Sequence, residues 1–229
     1  MEQTIKAVVF DMDGTLYHPL RMLFFMSVEW FVYFCVSPWK AVRVLRAVRA
    51  YRKALEQIRG EKGVFSRQIQ LQTAGAISGM GVDEIDLIVA RWFEEKPLRH
   101  IARCARKNLR ETVGALLRQN VRVGVYSDYY AEKKCLALGI GGNITFTLGG
   151  EDVGFLKPNR AGFDRVSILC KCEPSQIVYV GDRVSVDAVG ARTVGMRVII
   201  LGGNFDEENR DVLFASDLSD ALRLIQNLK

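Results

Sequence analysis

The sequence predicts a three-layer α/β core built on a parallel sheet, with a helical domain inserted close to its N-terminus. Three observations carry that prediction. The apolar run Ala7-Val8-Val9-Phe10 breaks off in Asp11 and reads as a strand buried on both faces. From about residue 113 onward, strand-like and helix-like patterns alternate, which is the pattern of a sheet covered on both sides. Between them, residues 19–112 carry helical periodicity with no strand alternation. The expected division is therefore a core of residues 1–18 with 113–229, and a helical cap of residues 19–112.

In chain order, the first strand covers residues 5–10. In the inserted segment, Val44, Val48, Tyr51, Leu55 and Ile58 recur at spacings of four and three, marking one apolar helix face. Arg43, Arg46, Arg49, Arg52 and Lys53 lie largely off that face and read as solvated. Beyond the insertion, strands are expected at residues 121–126, 144–148, 177–180 and 197–201. Helices are expected at 130–138, 160–171, 186–193 and 217–228. The apolar run from Met22 to Val36 is broken only by Ser27 and Glu29. It is shorter than the ~20 apolar residues a membrane span needs, so a helix buried inside the cap is expected. A surface that docks on a membrane or an apolar substrate tail is the alternative for residues 22–36.

Composition narrows the class. The chain has 229 residues, 49% hydrophobic and 25% charged, as in an ordinary globular enzyme. A net charge of +6 and a pI near 9.1 favour anionic ligands but do not make a nucleic-acid binder. Five scattered cysteines argue for reduced thiols, not a disulfide framework. Cys170 and Cys172 form a C-x-C pair with no second pair to complete a zinc site. No secretory signal pattern is visible, so a cytoplasmic setting is expected.

The chemistry-bearing residues fall at strand ends. Asp11 and Asp13 stand two apart at the end of the first strand, so both carboxylates can address one site. Gly14 permits a sharp turn directly after them. Ser127 closes the second strand, Asp182 follows Gly181 at the end of another, and Asp187 lies five residues on. Lys157 sits in Gly154-Phe-Leu-Lys-Pro158, ahead of a helix. In a parallel sheet these strand ends gather at one edge. Carboxylates for a hard cation, one ammonium and a hydroxyl are the groups needed for Mg²⁺-assisted phosphoryl transfer. Tyr17 and His18 stand where they can meet a substrate or pack a hinge.

The order Asp11-Met-Asp13-Gly-Thr-Leu, Ser127, Lys157-Pro158 and Gly181-Asp182 to Asp187 resembles the haloacid dehalogenase-like (HAD) hydrolases, with all four family motifs in register. It is most similar to the phosphatase branch with a helical cap between the first and second motifs, as in phosphoglycolate phosphatases. The resemblance implies a Rossmann-like core. It implies that Asp11 attacks phosphorus to give an aspartyl phosphate, and that Asp13 protonates the leaving oxygen and then activates water. That acid role requires Asp13 to begin protonated, which crowding by negative charge is expected to favour. The resemblance further implies Mg²⁺ held by the Asp11 carboxylate, the Asp13 backbone carbonyl and Asp182, with Asp187 in support. Ser127 and Lys157 would bind the phosphoryl oxygens.

The acid at position 13 separates this chain from true dehalogenases, which lack it. The lack of a Lys-Thr pair after Asp11 separates it from P-type ATPases. Ser185 stands where many relatives carry a further Asp. The expected activity is hydrolysis of a small phosphate monoester, with the cap over the site as a lid. A phosphomutase of the same family is the alternative enzyme; a non-catalytic phospho-ligand binding or membrane-surface protein is the alternative from another class. Oligomeric state is left open.

Overall fold

The computed structural model describes residues 4–203 and 209–228. The chain runs through β1 (Ala7–Phe10), α1 (Pro19–Val36), α2 (Pro38–Glu61), α3 (Arg67–Ser78), α4 (Val82–Val89) and α5 (Lys96–Cys104). It continues through α6 (Leu109–Arg118), β2 (Arg122–Ser127), α7 (Glu132–Ala137), β3 (Phe146–Gly149), α8 (Gly150–Val153) and α9 (Arg160–Cys170). It closes with β4 (Ile177–Gly181), α10 (Val189–Thr193), β5 (Arg197–Leu201), β6 (Val212–Ala215) and α11 (Leu218–Asn227). Two π-helical turns, Ala90–Glu95 and Val184–Ala188, lead into α5 and α10.

Two compact units result: Met1–His18 with Ala105–Lys229, and Pro19–Cys104. The second boundary therefore falls at residue 105 and not near 113. The physical reason lies in α6. Its buried Thr112 donates to the Leu218 carbonyl at 3.4 Å, and Asn108 just ahead of it donates to Ser219 Oγ at 2.6 Å. Both contacts bind this helix to α11 of the α/β unit. The two chain crossings are tied together there, since Tyr17 bridges Ala105 and Arg106 N donates to the Leu16 carbonyl at 3.0 Å.

The described strands of the α/β unit form one parallel sheet in the order β3-β2-β1-β4-β5-β6. Every residue of β1 and β4 is buried, as their unbroken apolar runs require. Strand order reverses between β1 and β4, and the crevice beyond that reversal is where open α/β sheets hold ligands. Strand β6 is absent from the elements expected from sequence. It is a four-residue edge strand with two half-exposed positions, too short to carry an alternation signal.

Under the sheet edge, Tyr126, Phe163 and Tyr179 pack edge to face with ring centroids 5.2–6.5 Å apart. Gly162 makes room for this cluster, because a Cβ there would stand 1.8 Å from the Tyr126 hydroxyl.

Within the helical unit, α2 buries Val44, Tyr51, Leu55 and Ile58 of its predicted apolar face, with Val48 half-buried, and the Gln70 side chain of α3 donates to the Tyr51 carbonyl at 2.9 Å. The run at 22–36 is helical but not buried. Met22 is the one buried residue of α1, while Leu20, Phe24, Phe31 and Val32 face outward. The helix instead turns its polar residue inward: Glu29 accepts from Lys96 Nζ and pairs with His100 Nε2 at 3.0 Å.

Candidate active site

The crevice is built from the residues at and just beyond the carboxyl ends of β1, β2 and β4. Register pairs Phe10 with both Val125 and Val180, and Asp11 N donates to the Val180 carbonyl at 2.8 Å. Asp11 is thereby fixed one residue beyond the strand, next to the end of β4 where Asp182 emerges. Ser127 closes β2 on the other side of β1; it is fully buried, and its Oγ accepts from Tyr129 N at 3.4 Å. Asp128 supports the site from behind. Its Oδ1 accepts the Lys157 backbone N–H at 3.0 Å, and its Oδ2 lies 3.7 Å from Arg183.

Lys157 is wholly buried, and its ammonium is the centre of the site. Nζ donates to Asp11 Oδ1 at 2.5 Å, Asp187 Oδ1 at 2.8 Å and the Tyr179 hydroxyl at 3.1 Å. Tyr179 in turn donates to the Tyr126 carbonyl at 3.0 Å, which leaves its oxygen facing the lysine. Burial pushes the Tyr179 phenol well above its ordinary pKa, so the hydroxyl keeps its proton. Burial alone would drive Lys157 toward neutrality. The Asp11 and Asp187 charges overcome this and hold its pKa well above the usual value.

Three carboxylates, Asp11, Asp182 and Asp187, bring ligand oxygens within 4.8 Å of one another. Ionised, they carry three negative charges against the single ammonium of Lys157. That imbalance is visible in their proton affinities. Burial, with the charges of Asp187 and Asp13, pushes Asp11 up to about 8 against the pull of Lys157. Burial and Asp187 push Asp182 up to about 6. Asp182 Oδ1 is buried without a hydrogen-bond partner among the described residues. A charge deficit equal to one divalent cation, a set of hard oxygens and an orphaned carboxylate oxygen together fit a metal of the Mg²⁺ type.

Asp187 does more than the sequence indicates. Its Oδ2 accepts the backbone N–H groups of Asp182 and Arg183 at 3.2 and 3.1 Å, while Oδ1 takes Lys157. Both oxygens are engaged, so Asp187 orients Asp182 and Lys157. The π turn Val184–Ala188 carries it inward. Gly14 is obligatory for the same reason: its φ is +99°, and a Cβ there would lie 2.0 Å from Asp182 Oδ2.

Asp13 belongs to a different environment. Its carboxylate is outside the three-carboxylate cluster, accepting instead from Lys134 Nζ at 2.5 Å and from the Tyr17 hydroxyl. Burial would raise its pKa, but Lys134 and Tyr17 outweigh that and hold it below the usual carboxylate value. The expectation that negative crowding keeps a proton on Asp13 is thus reversed. Lys134 and Arg106 are site residues that sequence reasoning misses. Arg106 donates twice to the Gly14 carbonyl, at 3.1 and 2.6 Å, pinning the turn after Asp13. Lys134 carries no signal beyond its place in a short helix; Arg106 stands in a segment whose pattern reads as cap. Burial pushes the Cys170 thiol up to about 12, and all five cysteines are free of disulfides.

With this geometry in place, the family model for haloacid dehalogenase-like hydrolases matches residues 5–195. The chain belongs to the haloacid dehalogenase-like hydrolase family. As a HAD hydrolase, it is 27% identical over 216 residues to the glyceraldehyde 3-phosphate phosphatase of Methanothermobacter thermautotrophicus, covering 90% of each chain. Its fold is similar to that of the 2-haloacid dehalogenase from Pseudomonas syringae, with a TM-score of 0.69 and 21% identity over 99% of this chain and 100% of the other. The HAD phosphatase from Thermococcus onnurineus superposes with a TM-score of 0.59 and 17% identity, covering 96% of this chain and 98% of that one. At such identities these two structures speak for the fold alone.

The raised carboxylates would make the binding of a divalent cation at this site depend on pH. Asp11 and Asp182 have folded pKa values above the unfolded value of 3.8, so their contribution to stability is complete below 3.8. It is lost as pH rises toward about 6 for Asp182 and about 8 for Asp11. A divalent cation offsets the charge that forms over that window. The increase in melting temperature on adding Mg²⁺ is therefore expected to grow from pH 5 to pH 8, measured by scanning calorimetry. A cation effect that is constant or shrinks with pH would contradict the site.

Proposed function

We propose that this HAD hydrolase is a Mg²⁺-dependent phosphatase that hydrolyses a small phosphate monoester through an aspartyl phosphate on Asp11. The observation that carries this reading is the separation of two carboxylates two residues apart into opposite environments. Asp11 shares Lys157 with Asp187, whereas Asp13 is held by Lys134 and Tyr17. Divergent environments for neighbouring acids are how one site assigns different roles to like groups. The phosphatase among its relatives supports the same class, and the substrate in that relative's name makes a triose phosphate the first ester to test.

Asp11, Asp182 and the Asp13 carbonyl would hold Mg²⁺, which supplies charge stabilisation to the phosphoryl oxygens when bound. Lys157 fixes the Asp11 carboxylate and offers its remaining positive field to the incoming phosphoryl group, with Ser127 as a hydroxyl donor. Asp11 then attacks phosphorus in line with the leaving oxygen. Asp13 starts ionised. The arriving dianion beside it raises its proton affinity, so a proton taken up on binding is passed to the leaving alkoxide. The regenerated carboxylate, again stabilised by Lys134 and Tyr17, takes a proton from the water that attacks the acyl phosphate.

Two experiments test this. Phosphate release from a panel of small phosphate esters is expected to require Mg²⁺, and Asp11→Asn is expected to lower it by roughly a thousandfold or more. Activity that survives in that variant would refute Asp11 as nucleophile. Lys134→Met is expected to raise the Asp13 pKa, moving the acidic limb of the kcat profile to higher pH. An unmoved limb with reduced kcat would assign Lys134 a purely structural role.

A further inference from the structure

Helix α1 is apolar around most of its circumference, and much of that apolar surface faces outward. Its inner side carries Glu29, held by Lys96 and His100, and Trp30, whose Nε1 donates to the Ala41 carbonyl at 2.8 Å. Its outer side presents Leu20, Phe24, Val28 and Phe31 at spacings of four and three, flanked by Leu23, Val32 and Phe34. Leu20, Phe24 and Phe31 are each more than 60% exposed. Ser27, on that same side, satisfies its hydroxyl within the helix by donating to the Leu23 carbonyl at 2.7 Å. No charged group interrupts the stripe, and apolar patches of this extent on a soluble monomer mark an interaction surface.

Charge indicates what covers it. Residues 19–104 hold 14 Lys and Arg against 8 Asp and Glu, a net of +6, whereas the rest of the chain has 18 against 18. The whole surplus of the protein thus sits on the unit that exposes the apolar helix. Arg21 at the start of α1 and Lys40 just beyond its end are both exposed, and Trp39 between the two helices is 85% exposed. A further three cations, Arg46, Arg49 and Lys53, collect at the cleft lined by α2 and the end of α3. Apolar side chains bounded by an aromatic residue and by cations are the arrangement that sits at the headgroup level of an anionic bilayer.

We propose that the helical unit docks on an anionic lipid surface, with α1 lying in the interface. Leu20, Phe24 and Phe31 enter the acyl boundary, and Arg21, Lys40 and Trp39 sit among the headgroups. The helix is long and apolar enough to span a bilayer by length and composition alone. Its inner side is committed to α2 and α5 through Trp30 and Glu29, so a single face is available and it lies on the membrane instead of crossing it. A second copy of the chain fits the charge less well, because a symmetric contact through α1 would bring two units of +6 together. The inference stands apart from the chemistry at Asp11 and survives or fails independently of it.

The test is co-sedimentation of the full chain with vesicles of phosphatidylcholine alone or mixed with phosphatidylglycerol, alongside Trp fluorescence. Binding is expected to be at least roughly tenfold tighter to the anionic vesicles, and to weaken as salt is raised. The double substitution Phe24→Asp with Phe31→Asp, on exposed positions, is expected to abolish it while leaving the melting temperature unchanged. Lys40→Gln with Arg21→Gln is expected to weaken binding and flatten the salt dependence. Failure to bind anionic vesicles, or equal binding to both compositions, would overturn the proposal. So would a dimer in sedimentation velocity that the Phe24/Phe31 variant dissociates in the absence of lipid.

Discussion

The site depends on one buried ammonium serving two carboxylates. Lys157 has almost no contact with water, and its charge is tolerated because Asp11 and Asp187 approach it at 2.5 and 2.8 Å. Removing a partner from such a buried pair typically costs about 3–5 kcal/mol, since a charge is left uncompensated. Much of the surrounding structure positions that charge. Asp128 fixes the lysine backbone, the Tyr126–Phe163–Tyr179 cluster forms its floor, and the π turn before α10 delivers Asp187. Yet the ammonium neutralises only part of the carboxylate charge. That remaining deficit adds to burial in raising Asp11 and Asp182, and it is the electrostatic basis for the divalent cation proposed here.

The two aspartates of the first motif show how backbone geometry divides labour. Asp11 is aligned by the last hydrogen bond of the sheet, facing Lys157. Two residues on, the chain has begun the turn that Gly14 permits and Arg106 pins, and Asp13 meets Lys134 and Tyr17 instead. Like groups separated by one residue are thus pushed in opposite directions, one up and one down. The nucleophile and proton-carrier roles proposed for them need that difference, because identical environments would make them compete for the same proton.

The sheet and its strand-end residues are legible in the sequence because they depend on local grammar. Apolar runs ending in Asp11 and Gly181-Asp182, and the Val121–Tyr126 run broken by Arg122 and ending in Ser127, specify buried parallel strands and the edge where they stop. The features hidden from sequence come from contacts between distant residues. Lys134 lies 121 positions from Asp13, and Arg106 lies 92 from Gly14, with no spacing rule to link them. Without Lys134 in view, the sequence points to the wrong protonation state for Asp13. The domain boundary moves to residue 105 because α6 has helical periodicity like its predecessors, while its partners are β2 and α11. The misreading of residues 22–36 has another origin. An apolar run normally predicts burial, and here Met22, Phe25 and Tyr33 turn inward alongside Glu29 while most of the remaining apolar positions face out. Hydrophobicity alone does not say which face of a helix is covered.

The most direct measurement of the central claim is chemical capture of the acyl phosphate. Enzyme quenched during turnover of an active phosphate ester is reduced with borohydride, digested and analysed by mass spectrometry. Homoserine at position 11, absent without substrate, is the predicted result. Turnover with Asp11 unmodified, or reduction at another carboxylate, would contradict the assignment of Asp11 as nucleophile.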